Sequence, residues 1–209
     1  MPSPDQIHQS LYEIANKWQG IAIFWHVYCA GLVLGFLGGV RPPKRLVAIM
    51  VVLPMFSVSA LAWLSGNPFS GMTFAVAGGA MIFIAYKLPD SSVELTSGWL
   101  LLAGVVMFVF GWIYPHFLES ESFFAYMYSA PTGLLPCPTL SIVIGLSLIT
   151  GNFGSQAWAV VLVIIGLLYA LLGTLYLGLA LDFMLLIGSV MVVISVLLNR
   201  RGNENADLY

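Results

Sequence analysis

The chain has 209 residues, 60% of them hydrophobic and only 8% charged, with a formal net charge of −2 and a mean hydropathy of +0.96. Soluble domains carry roughly 25% charged residues, so this is a membrane composition, on a length that suits one compact bundle. The acidic balance without any basic stripe argues against a nucleic-acid partner, and two cysteines are too few for a disulfide framework or a four-cysteine zinc site.

Residues 1–17 place Ile7, Leu11 and Ile14 at helical spacing, with Ser3 or Asp5 as a cap. They read as a short amphipathic helix lying in the membrane interface. The segment lacks a basic n-region and a clean cleavage site, so it does not read as a signal peptide. Trp18 then marks a membrane boundary. A crossing needs about 20 mostly apolar residues, and about seven stretches meet that criterion: 20–40, 46–64, 71–88, 98–118, 133–150, 156–177 and 179–198. The last two meet in a tight hairpin around Gly178, and residues 199–209 form a polar tail. The expected fold is all-α, a polytopic transmembrane helix bundle over residues 18–198.

Orientation follows from the distribution of basic residues. Arg41, Lys44 and Arg45 in the first connection, Lys87 at the third, and Arg200 and Arg201 in the tail share one side only if the span count is odd. The expectation is therefore N-terminus out and C-terminus in, across a prokaryotic inner or plasma membrane. This places His8, His116, Glu119, Glu121 and Asp182 at the outer face, with His26, Cys29 and Cys137 in the outer half.

Residues 131–141, PTGLLPCPTLS, are the most unusual stretch. Pro136 and Pro138 remove backbone donors and disturb carbonyls one turn earlier. Such prolines are harmless in a first helical turn, so the run is either a helix start or a broken, re-entrant segment whose N-terminus faces a ligand. Cys137 adds a soft ligand or thiol there, and Thr139 a hydroxyl. Tyr114-Pro115-His116 closes the fourth span, with Glu119 just beyond. His116 is either an interfacial anchor or, with Cys137, a His/Cys pair suited to copper(I) or zinc, although the spacing matches no established zinc signature. His26 and Cys29, three residues apart on one face, lie deep in the first span. A histidine at that depth must face the bundle interior or a cavity. A Cys29–Cys137 disulfide requires the two spans to touch at one depth. Asp182 is either an ordinary helix N-terminal acid or a cation partner just inside the bilayer. GLVLG at 31–35 fits a close-approach glycine pattern between helices or protomers.

The sequence contains no lysine in the last two spans and no Walker A, HExxH, GxSxG or CxxCH motif, which argues against a retinal protein, an ATPase, a zincin, a serine hydrolase and a c-type cytochrome. Asn67-Pro68, Tyr114-Pro115, Ala130-Pro131 and Pro136-Cys137-Pro138-Thr139 together resemble the DUF6064-like family of small polytopic bacterial membrane proteins, itself without an assigned function. Asp182 before an apolar run is similar to that family's last span, and Leu140 departs from its pattern. The resemblance implies a membrane bundle and no mechanism. The leading expectation is a non-enzymatic protein that binds or passes a small solute or ion through an outward pocket between spans one, four, five and seven. Pro136, Cys137, Pro138 and Thr139 would shape it, Glu119 and Asp182 would attract cations, and His116, Cys137, His26 and Cys29 would supply metal ligands. Two alternatives stay open: a redox subunit holding haem or quinone through His26 and His116, and a structural partner of the lipid bilayer that joins a homo-oligomer or larger membrane complex.

Overall fold

The computed structural model describes residues 4–120 and 122–206, with side chains as far as residue 198. Among these residues the fold is all-α, built from α1 (Pro4–Lys17), α2 (Gln19–Leu37), α3 (Lys44–Leu64), α4 (Pro68–Lys87), α5 (Gly98–Ile113), α6 (Phe123–Ser129), α7 (Pro136–Ile149), α8 (Gln156–Leu171) and α9 (Phe183–Ala206). Five segments, in α2, α3, α4, α8 with its π-helical extension, and α9, are long and apolar enough to cross a membrane. The α5 and α7 helices are apolar but shorter. All seven expected stretches are therefore helical, yet two fall short of the usual crossing length. Proline is the reason in both cases. Pro115 cannot continue α5, and the residue before it is pushed out of helical geometry. The turn at 130–135 delays the start of α7 until Pro136. Within the expected tail, residues 199–206 continue α9 as helix, and residues 207–209 lie outside the described residues. Ser3 and Glu121, considered above as a cap and an outer-face acid, lie outside the described residues.

The α7 helix is the axis of the bundle. Every residue in it except Cys137 is buried. It meets α5 at backbone contact, because Gly104, Gly111 and Gly145 leave no room for side chains. A Cβ at Gly111 would stand 2.5 Å from the Pro138 carbonyl, and one at Gly145 would stand 2.7 Å from the Gly104 carbonyl. This is the close packing that small residues permit between apolar helices. The GLVLG run does not serve that purpose within the chain: a Cβ at Gly31 or Gly35 meets nothing.

The connections sort to two ends. At one end the backbone of 42–44 pairs with 91–93, and Arg41 caps carbonyls of Phe36 and Val40. Thr96 donates its hydroxyl to the last carbonyls of α7. At the other end gather α1, the 65–67 turn, residues 114–118 and 130–136, and the α8–α9 hairpin, joined by Ser10 to Ser65 and by Asn16 to Phe117. That hairpin is as tight as expected. A π-helical turn at Leu172–Tyr176 ends α8, Gly178 sits at φ 69°, and α9 follows directly after a short 3₁₀ turn.

Candidate functional site

The site assembles where α7 begins. Leu135 is its N-cap residue, and Pro136 and Pro138 occupy the first turn, where missing N–H groups cost nothing. PCPT is thus a helix start, and the re-entrant alternative is not what forms. Thr139 holds that start together: its hydroxyl donates to the Leu135 carbonyl at 2.7 Å and accepts from the Gly133 N–H at 2.8 Å. Thr132 ties the preceding turn to the Gly111 carbonyl of α5. With both bonds made internally, Thr139 is a brace for the site and not a ligand in it.

Cys137 points the other way. Its thiol donates to Asp182 Oδ2 at 3.1 Å, while the Tyr114 hydroxyl donates to Asp182 Oδ1 at 2.8 Å. Three segments far apart in sequence converge on one carboxyl group with no solvent exposure. Asp182 fits only because residue 173 is glycine: a Cβ there would collide with the Asp182 carboxylate. The π-helical turn carries Gly173 past the carboxylate, and π-bulges are frequent at functional sites. Both carboxylate oxygens thus accept from neutral donors, which repays part of the cost of burying a polar group.

Beside this trio lies a cavity of about 120 Å³. An engineered apolar cavity of about 150 Å³ in another protein holds benzene, so the space here is that of one small ring. Its wall includes Ile7 and Leu11 of α1, Phe69 and Ser70 of α4, Leu135 to Pro138, and Tyr169, Tyr176 and Asp182. The partial exposure of Cys137, on a helix otherwise sealed, is consistent with the cavity reaching its thiol. The Tyr169 hydroxyl is buried without a well-formed hydrogen bond, with the Ser70 and Thr73 side chains near enough to interact. The pocket was expected between spans one, four, five and seven. The α2 helix, span one, takes no part, and α1, α4 and α8 contribute instead.

The α1 helix closes the cavity on one side. Its Asn16 donates to the Phe117 carbonyl at 2.9 Å and accepts from the Glu119 N–H at 2.8 Å. Glu119 therefore belongs to the docking of α1, not to the cavity; its side chain also hydrogen-bonds Tyr12, and that bond raises the Tyr12 phenol above its ordinary value. His116 packs on the Phe117 ring at 4.3 Å and, with His8, lines a separate, open depression. Burial, and then the charge of neighbouring His8, lower the His116 imidazole below its ordinary value.

The proposed metal ligands are not brought together. Cys29 lies in the core around α3 and α7, Cys137 is engaged with Asp182, and the two thiols are free, not bonded to each other. His26 is buried, as its depth required, but both ring nitrogens face backbone carbonyls: Ala22 at 2.8 Å and Trp112 at 3.0 Å. A ligating role would have to give up one of these contacts. Among the described residues no group of three or more His, Cys, Asp and Glu could hold a metal ion.

Tyr114, Tyr169, Ser70 and Gly173 were missed as site residues. The signal for Tyr114 in the sequence is a tyrosine directly before Pro115 at the end of an apolar stretch. Gly173 has meaning only once Asp182 is known to face it. No protein-family model matches the chain, and no curated protein or solved structure matches it.

Proposed function

We propose that this is a seven-span membrane protein, N-terminus outside, that binds a small solute from the outer face in the cavity at the start of α7. The cavity itself carries this reading: a ring-sized apolar space ending at a buried carboxyl group that two distant segments and one obligatory glycine hold in place. Structural acids at helix starts ordinarily reach solvent or cap their own helix. Support for the topology comes from Arg41, Lys44 and Lys87 lying at the end opposite the cavity, as the positive-inside rule requires. Beneath the cavity α7 is sealed along its length, which favours a binding pocket over an open channel. The likeness to the DUF6064-like family adds no mechanism.

A second reading has its own observation. Gly31 and Gly35 form an open glycine face on α2, which suits close approach by a second copy or another membrane protein.

The test is thermal melting of the full chain in detergent against a panel of ring-sized solutes, each alongside Ser70→Leu, which fills the cavity. A solute at one hundred times its Kd stabilises the native state by about 2.7 kcal/mol, and Ser70→Leu abolishes that gain. If no ring-sized solute shifts the melting, or Ser70→Leu responds as the native chain does, the cavity is not a binding site.

A further inference from the structure

The charge and lining of the cavity define what it accepts. Asp182 is the single acidic side chain in its wall, and no lysine, arginine or histidine lines it among the described residues. The titratable groups facing the carboxylate are the Tyr114 hydroxyl, the Cys137 thiol and, across the cavity, Tyr169 and Tyr176. None of these carries a positive charge. An ionised carboxylate in such surroundings is costly until a cation meets it. Much of the remaining wall is aromatic: Phe69, Tyr114, Phe117, Tyr169 and Tyr176. Ring faces attract ammonium groups most strongly where water is excluded. An anion would meet the carboxylate with nothing to neutralise either. A bare metal ion would find one carboxylate and one thiol, too few donors for the usual four-coordinate site.

We propose that the cavity takes a small organic monocation, a ring-sized apolar body bearing one ammonium group, held between Asp182 and the surrounding aromatic rings. This rests on the cavity being a ligand site. Cys137 and Tyr114 cover Asp182 in this structure, so the ammonium exchanges its N–H bonds for the thiol's bond to Oδ2, and the thiol turns aside. The aromatic wall supplies the second half of the recognition, because it favours an apolar cation over a hydrated inorganic one.

Three compounds of one size and different charge test the proposal: benzylammonium, benzyl alcohol and benzoate. The readout is protection of Cys137 from a small alkylating reagent, followed by mass spectrometry of its peptide in the full chain in detergent. Benzylammonium is expected to protect at a concentration at least tenfold lower than benzyl alcohol, with benzoate giving no protection. Partition into detergent favours the alcohol, so a preference for the cation is a stringent result. Asp182→Asn should remove the charge preference and leave alcohol protection within about threefold. The native chain decides the matter even if that variant does not fold. Equal or better protection by benzyl alcohol overturns the cation assignment while leaving the cavity a binding site. Protection by none of the three where Cys137 is alkylated in the ligand-free chain, or no rise in melting temperature with any of the three where it is not, overturns both.

Discussion

Gly173→Ala is the sharpest test of how the site is held. The added methyl group collides with the Asp182 carboxylate and also comes within 2.7 Å of its Cβ, so the carboxylate must leave its place between Tyr114 and Cys137. Overpacking a closed site costs about 1–3 kcal/mol. Loss of one or both hydrogen bonds to the buried carboxylate costs about 1–3 kcal/mol more. The better helix propensity of alanine returns about 1 kcal/mol. A net loss of about 3 kcal/mol follows from these terms. Gly79→Ala is the control, because a Cβ there meets nothing; that change should be neutral or stabilising by up to about 1 kcal/mol. Equilibrium unfolding in mixed micelles measures both. A double-mutant cycle with Asp182→Gly then isolates the clash, since removing the whole side chain makes room for the methyl group and most of the penalty should vanish. Should Gly173→Ala prove no worse than Gly79→Ala, or cost the same with and without Asp182, the carboxylate is not held where the geometry places it.

Thr139→Val removes the hydroxyl that joins Gly133 to Leu135 and should destabilise the fold by about 1–3 kcal/mol, with Thr139→Ser restoring most of it in the same unfolding measurement. Asn16→Ala cuts both bonds that dock α1 against residues 117–119; hydrogen exchange across α1 should accelerate while α7 stays protected. His116 holds its proton less tightly in the folded chain than in the unfolded one, through burial first and His8 second. The unfolded chain therefore binds more protons as pH falls below the ordinary imidazole value of about 6.5, and stability present above that value is lost on acidification. Limited proteolysis should report looser α1 docking at pH 5 than at pH 8, and the difference should shrink in His116→Gln.

The helices and their alternation between two ends were legible, because hydropathy marks long apolar runs directly and Gly178 marks the hairpin. Lengths were less so. Span four was read through to Leu118 on hydropathy alone, but Pro115 stops α5 at Ile113, and hydropathy does not register a proline's effect on geometry. Asp182 and Cys137 were both legible as unusual residues. Their meeting was not, since 45 residues separate them and no local pattern encodes a contact between spans. The histidines misled for a physical reason. His26 sets its ring between carbonyls of its own helix and of α5, donating to one of them according to its tautomer, a use that leaves no trace in sequence. His116 lies just beyond the proline that ends α5, where the chain turns outward, whereas Tyr114 just before it turns inward. Positions on either side of the proline at a helix stop face opposite ways, and the choice is fixed by what packs there.

The shortness of α7 is what places the chemistry. A 14-residue helix spans about 21 Å at 1.5 Å per residue, well below the roughly 30 Å of a bilayer core. With its far end anchored by Thr96, its near end falls short of a full crossing. The turn at 130–135 packs on α5 and the α8–α9 hairpin on the start of α7, and irregular backbone inside a bilayer is tolerated only where protein or a cavity surrounds it. Thr132 and Thr139 brace that turn, and the cavity lies beside it, against the π-helical turn and the α8–α9 hairpin. The proline-rich start therefore makes its contribution by ending a helix early. It leaves Cys137, Tyr114 and Asp182 meeting inside the fold, with the single carboxylate kept from solvent.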